Sequence, residues 1–190
     1  ERDWPEDIEA VVTRQVKEPL EERALKPQIP SLTPIKNKVS KAVRDQYEDN
    51  PYPRWVGATS FEKPRTLGEI FRNLRLPLDW DSYQPPEKPE ILIAGCGTGQ
   101  QSLLSASRYA DASMLAVDLS LSSLAYALRK TRELGISNIE YVQGDILELE
   151  SLERTFDIIE CRGVLHHLED PVAGWRVLVE LLRPGGMMKI

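Results

Sequence analysis

The stretch Ile91 to Gln100, I-L-I-A-G-C-G-T-G-Q, constrains this chain more than any other. A run of four apolar residues, Ile91 to Ala94, stops at three glycines in five positions, Gly95, Gly97 and Gly99, and a helix-compatible segment follows from Gln100 to Ala110. That order reads as a buried strand, a tight turn and a helix whose N-terminus faces a ligand. Glycine is needed where the backbone takes unusual dihedrals and where a ligand must approach without a Cβ in the way. A turn of this kind also occurs in α/β folds without a ligand, so its meaning has to come from the rest of the chain.

From Glu90 onward the pattern is regular. Met114–Val117 reads as a second strand ending at Asp118. Ser120 caps a helix with apolar positions Leu121, Leu124, Ala125 and Leu128, closed by Gly135. Ile139–Val142 is a third strand ending at Gly144-Asp145, and Phe156–Cys161 a fourth. Asp170-Pro171 opens a helix through Trp175 and Leu178, stopped by Pro184-Gly185-Gly186, and Met187–Ile190 begins a fifth strand. Strands alternating with helices predict an α/β fold with a parallel sheet, right-handed crossovers and ligands at the carboxyl ends of the strands.

Upstream, residues 1–32 are charged and interrupted by Pro5, Pro19, Pro27 and Pro30. A short helix is expected over Ile8–Lys17, in an arm that wraps a surface without a core of its own. Thr33-Pro34 is a helix start, with Thr33 as N-cap, and Ile35, Val39, Val43 and Tyr47 form its apolar stripe. Pro51 and Pro53 end that helix. Thr66–Leu76 reads as another amphipathic helix, and Gln84–Pro89 as a linker. The chain divides accordingly into an arm and helical cap (1–86) and a ligand-binding domain (87–190).

Composition narrows the function classes. The 190 residues suffice for one good core plus an appendage. With 41% hydrophobic and 28% charged residues the chain is globular in character. A net charge of −6 argues against a nucleic-acid surface. No apolar run approaches the roughly 18 residues of a membrane span, and no signal peptide opens the chain. Two cysteines, Cys96 and Cys161, give no disulfide framework and point to a reducing cytoplasm. The adjacent His166 and His167 and the spacing of the cysteines suggest no metal site.

The dinucleotide fingerprint G-x-G-x-x-G requires a third glycine where Gln100 stands, which disfavours a dinucleotide-dependent oxidoreductase. G-x-G-x-G instead resembles the first motif of the class I S-adenosylmethionine-dependent methyltransferases. The resemblance extends over Glu90–Ile190 through four further segments in order: Asp118-Leu119, Gly144-Asp145-Ile146, Gly163 to Pro171, and Leu182-Arg183-Pro184-Gly185-Gly186. It implies a three-layer Rossmann-like fold of sheet order 3-2-1-4-5 under an N-terminal helical cap, with S-adenosyl-L-methionine as cofactor. By the same resemblance Gly95, Cys96, Gly97, Thr98, Gly99 and Gln100 hold the methionine part. Asp118 takes both ribose hydroxyls and Leu119 packs on the adenine. Gly144, Asp145 and Ile146 receive the adenine, Cys161 and Arg162 complete the cofactor-binding set, and the acceptor enters over Arg162–His166 and the cap.

One position departs from the family pattern. Ile93 stands where an acid two residues before Gly95 ordinarily helps place the methionine ammonium, so backbone carbonyls or the N-terminal region must supply that contact. Tyr47-Glu48-Asp49-Asn50-Pro51-Tyr52 resembles the tyrosine–acid element that covers the cofactor, which brings Tyr47 and Arg54 toward the pocket. More narrowly, QYEDNPYPRW followed by ILIAGCGTGQ resembles the methyltransferase module of bacterial proteins that also carry tetratricopeptide repeats. His166 is the candidate general base, ahead of His167. The alternative in another class is a noncatalytic module that binds S-adenosylmethionine or S-adenosylhomocysteine for a larger protein. Because the chain stops four residues into its fifth strand, without the family's strands 6 and 7, the natural protein is expected to be longer, and this chain either to have strand 5 poorly ordered or to hide its edge in a dimer.

Overall fold

The computed structural model describes residues 4–57, 63–75 and 78–190. Its centre is a sheet of β1 (Glu90–Ala94), β2 (Ser113–Asp118), β3 (Ile139–Gln143), β4 (Phe156–Glu160) and β5 (Leu182–Lys189). All neighbours are parallel, in the expected order β3-β2-β1-β4-β5. The helices among the described residues are α1 (Glu6–Val12), α2 (Glu18–Leu25), α3 (Lys38–Asp49), α4 (Leu67–Asn73), α5 (Gln100–Arg108), α6 (Leu121–Glu133) and α7 (Pro171–Glu180).

A parallel sheet carries helices on both faces, so its strands must be apolar on both. In β1, Ile91 and Ile93 join Met114, Ala116 and Ile158 on one face, and Leu92 and Ala94 join Leu115, Val117 and Ile159 on the other. The first face is covered by Leu67, Ile70 and Phe71 of α4 and by Leu124 and Ala125 of α6. Val177 and Leu178 of α7 cover the second. Helix α4 lies upstream of the expected division at residue 86 and yet shares a core with the sheet. It starts where expected: Thr66 and Glu69 close a reciprocal capping box. The expected end of that helix, Leu76, lies outside the described residues.

β5 begins five residues earlier than expected. Phe156 pairs with Leu182, but Ile158 pairs with Met187, so Arg183-Pro184-Gly185-Gly186 forms a bulge inside the strand. Pro184 has no N–H to give the ladder, and a bulge tolerates it. Arg183 fastens the bulge: Nη1 donates to Asp157 at 2.8 Å and Nη2 to Glu90.

The N-terminal arm differs most from its expected form. Helix runs almost unbroken from Glu6 to Gln28, through a π turn at Thr13–Lys17 and a 3₁₀ turn at Lys26–Gln28. The wide turn directly precedes Pro19, whose missing N–H would interrupt a regular ladder. The arm reaches the core through Leu25 and Ile29. Its acids meet α6, where buried Arg129 donates from Nε to Glu22 at 3.1 Å, from Nη2 to Glu18 at 3.2 Å and from Nη1 to Glu133 at 3.2 Å. The chain then runs along β3: Gln143 N donates to Pro30 O at 2.8 Å and Leu32 N donates to Gln143 O at 2.9 Å. Being tied to that edge, Thr33 cannot start a helix. Asn37 caps α3 instead, accepting from the N–H groups of Val39 and Ser40.

Removing one partner of a buried ion pair leaves the other charge desolvated and uncompensated, at a cost of about 3 kcal/mol or more. Arg129→Leu should therefore lower the urea midpoint by about that equivalent, and Glu22→Leu in the same chain should restore part of it. An unchanged midpoint for Arg129→Leu would show that the arm adds nothing to stability.

Candidate cofactor site

At the end of β1, Gly95 N and Cys96 N both donate to Val117 O, at 2.8 and 2.9 Å, and swing the chain over the end of β2. Gly95, Gly97 and Gly99 have φ of 76°, 52° and 81°, all left-handed. A Cβ on Gly95 would lie 2.4 Å from Val164, and one on Gly99 2.5 Å from Ala127 of α6. At Gly97 the nearest atom would be Tyr52 O, 3.8 Å away. The outer glycines thus let the turn seat tightly, and the middle one leaves room for a ligand. Asp118 fixes the turn from the next strand, its Oδ2 accepting from Gly97 N at 2.7 Å and its Oδ1 from Ser120 N at 3.0 Å. Burial, with the nearby Glu48 charge, pushes the Asp118 carboxyl above its ordinary pKa despite those N–H donors.

The cap docks on the same turn. Trp55 Nε1 donates to Thr98 O at 3.1 Å, and Thr98 Oγ1 donates to Pro53 O at 2.6 Å. Tyr126 of α6 donates to Trp55 O and packs edge-on against the indole. Glu48 reaches the N-terminus of α6: Oε2 accepts from Ser122 N at 2.9 Å and Ser120 Oγ at 3.0 Å, and Oε1 from Lys26 Nζ at 2.6 Å.

Turn and cap enclose a cavity of about 360 Å³. Of the residues expected at the ligand, Tyr47, Gly95, Cys96, Gly97, Thr98, Gln100, Asp118, Leu119, Gly144, Asp145, Ile146 and Arg162 line it. Four do not. Gly99 faces α6, and Cys161 is buried at the end of β4. Arg54 turns away to Glu22, at 3.1 Å, and lies over the Tyr126 ring. His166 is exposed outside the lining, and His167 is the histidine on the wall, edge-on to Tyr47 with ring centroids 6.2 Å apart. Burial and the neighbouring His166 lower the pKa of His167. Burial and Asp118 hold the Cys96 thiol well above its ordinary pKa, so it packs as a small apolar group and not as a nucleophile.

Two buried polar atoms in the lining residues have no hydrogen-bond partner among the described residues. Asp145 accepts from Leu147 N with Oδ1 at 3.1 Å, but its Oδ2 is unmatched, as is Ser123 Oγ. A buried acceptor left unsatisfied costs about 1–3 kcal/mol, so both atoms call for a polar partner, which a ligand reaches only if the side chain turns toward the cavity. A nucleoside suits them: Asp145 Oδ2 for an exocyclic amino group, Ile146 and Leu119 for the ring, and the second lone pairs of Asp118 for vicinal hydroxyls.

Two further residues escaped the sequence reading. Ile93, where the acid is missing, pairs in register with Glu160 on β4. The buried Glu160 Oε2 accepts from Gln101 Nε2 at 2.6 Å and Ser105 Oγ at 2.8 Å, and Gln101 lines the cavity. The available signal was an acid closing the apolar run Phe156-Asp157-Ile158-Ile159-Glu160.

Burial alone would raise the pKa of Glu48, but Lys26 and Ser122 lower it overall. A depressed carboxyl stabilises the docked cap above its unfolded pKa and ceases to do so as pH falls through the folded value. Glu48→Gln should therefore lower the hydrogen-exchange protection of the α3 amides at neutral pH, and abolish the further loss of protection, relative to the intrinsic rate, that acid causes in the wild type. Exchange matching the wild type at neutral pH would show that Glu48 does not hold the cap.

Comparison with known proteins places these features. A family model described as a methyltransferase domain matches residues 91–186. An uncharacterized protein of Synechococcus is 39% identical over 104 residues, 54% of this chain and 25% of that protein. The ubiquinone biosynthesis O-methyltransferase of Hahella chejuensis is 32% identical over 155 residues, covering 81% of this chain and 61% of the enzyme. Among solved structures, the [4+2]-cyclase SpnF superposes with a TM-score of 0.55 over 84% of this chain and 60% of its own, at 22% identity, a likeness of fold. The chain thus spans between a quarter and about three-fifths of these proteins. The family match takes in the glycine turn, Asp118, Asp145 and the segment after β4, over 96 of the 190 residues, and the chain belongs to the methyltransferase-domain family.

Proposed function

We propose that this chain binds S-adenosylmethionine and transfers its methyl group to a nucleophilic acceptor. The observation that carries the reading is the convergence of Asp118, Asp145 and Ile146 with the open side of Gly97 on one cavity. In this reading the main chain of Gly95–Gly99 lies under the methionine part, Asp118 takes the ribose hydroxyls, and Asp145 accepts from the adenine amino group. The cofactor, when bound, supplies an electrophilic methyl on a sulfonium and leaves as S-adenosylhomocysteine. The chain contributes alignment and exclusion of water, with α3 bringing Ser40, Val43 and Tyr47 to the cavity wall. His167, with its depressed pKa, is neutral at physiological pH and suited to take a proton from the acceptor. The segment Gln46–Trp55, by its resemblance, supports a place in a bacterial protein that also carries tetratricopeptide repeats.

Calorimetry on the intact chain tests cofactor choice. S-adenosylmethionine should bind and NAD should not. Asp118→Ala should lose about 2–3 kcal/mol of cofactor binding, a charge-assisted pair of contacts. The Asp118 pKa is raised, and the hydroxyls need the carboxylate form. Wild-type affinity should therefore fall as pH drops through a range above that of an ordinary aspartate, and Asp118→Ala should lack that inflection. Preference for NAD, or unchanged affinity in a folded Asp118→Ala, would overturn the reading. With radiolabelled S-adenosylmethionine and a metabolite extract, His167→Ala should lower turnover about 100-fold, a usual general-base contribution, and His166→Ala should leave it near wild type. Equal turnover in the two variants would remove His167 from the chemistry.

A further inference from the structure

The cavity has chemically opposite ends. Asp118 and Asp145 line it at the exits of β2 and β3, whereas Arg162, two residues beyond β4, is the only lysine or arginine in the lining among the described residues. Arg162 is exposed and has no carboxylate partner among the described residues. Its one side-chain hydrogen bond runs from Nη1 to Gln101 Oε1, at 3.0 Å. An exposed arginine ordinarily trails in solvent, but this one is tethered through a defined chain of contacts. Gln101 Nε2 donates to Glu160 Oε2 at 2.6 Å and to Ser105 Oγ at 3.2 Å. Glu160 is 1% exposed and also accepts from Ser105 Oγ and Tyr109 OH. An amide has one donor end and one acceptor end. Turning Gln101 over would set its NH₂ against the guanidinium and its oxygen against the Glu160 carboxyl. Glu160 therefore fixes which end of Gln101 meets Arg162.

A guanidinium carries five N–H donors in a planar fork, and the tether uses one. The remaining donors match a planar two-oxygen anion. We propose that Arg162, positioned by Gln101 on Glu160, binds a carboxylate of the ligand. That carboxylate belongs either to the amino-acid end of the cofactor or to an acidic acceptor. The inference rests on the nucleoside reading of the same cavity.

Calorimetry on the whole chain distinguishes the two sources. S-adenosylhomocysteine and 5′-methylthioadenosine share the nucleoside, and only the first has a carboxylate. A wild type that binds neither overturns the cavity reading itself, whatever Arg162 does. In Arg162→Met, a loss of about tenfold or more for S-adenosylhomocysteine with 5′-methylthioadenosine unchanged assigns Arg162 to the cofactor carboxylate. Unchanged affinity for both, with malonate binding the wild-type S-adenosylhomocysteine complex about tenfold tighter than the variant complex, assigns it to an acidic acceptor. Equal behaviour of wild type and variant in all three titrations, or equal loss for both nucleosides, overturns the proposal. Gln101→Met keeps the length and drops the amide, so it should show part of the same selective loss. A Gln101→Met chain indistinguishable from wild type would remove the positioning role of Gln101.

Discussion

The bond from Gly97 N to the Asp118 carboxylate joins the two halves of the site. It pins the glycine turn at the end of β1 to the end of β2, and so sets where a ligand can lie against the open face of Gly97. The turn has no freedom elsewhere. Val164 crowds Gly95, Ala127 crowds Gly99, and Val117 O takes both Gly95 N and Cys96 N. From above, Thr98 is bonded to Pro53 and Trp55 of the cap. Sheet, helix α6 and cap thus converge on five residues. In the proposed reading, the carboxylate that holds the turn also meets the ligand hydroxyls.

Much of this geometry was legible because strands ending in Asp118 and Asp145 announce themselves by periodicity, and a glycine turn by its composition. Local signals failed wherever long-range contacts decide. Thr33-Pro34 is a good helix start by itself, yet Pro30 and Leu32 are tied to Gln143, and the helix waits for Asn37. The arm looked coreless because its buried members include Glu22, whose partner Arg129 lies more than a hundred residues away. His166 and His167 are chemically equal in sequence, and only the short turn after β4 decides which of them meets Tyr47. The acid missing at Ile93 has a counterpart one strand over, a relation that exists only in the register of β1 and β4.

The fold by itself does not name a reaction, since a [4+2]-cyclase shares it. Methyl transfer is proposed from the wall of the cavity and from membership of the methyltransferase-domain family. In the proposed reading, the acids at two neighbouring strand exits and the tethered cation at a third hold a ligand with a nucleoside at one end and an anion at the other. The cap supplies part of that wall through Ser40, Val43 and Tyr47 of α3.

The most direct test is a crystal structure of the chain with S-adenosylhomocysteine. The account predicts the adenine amino group within hydrogen-bond distance of Asp145 Oδ2 and the ribose hydroxyls on Asp118, with the bond from Gly97 to Asp118 retained. A nucleoside bound elsewhere, or an Asp145 Oδ2 still without a partner in the complex, would contradict it.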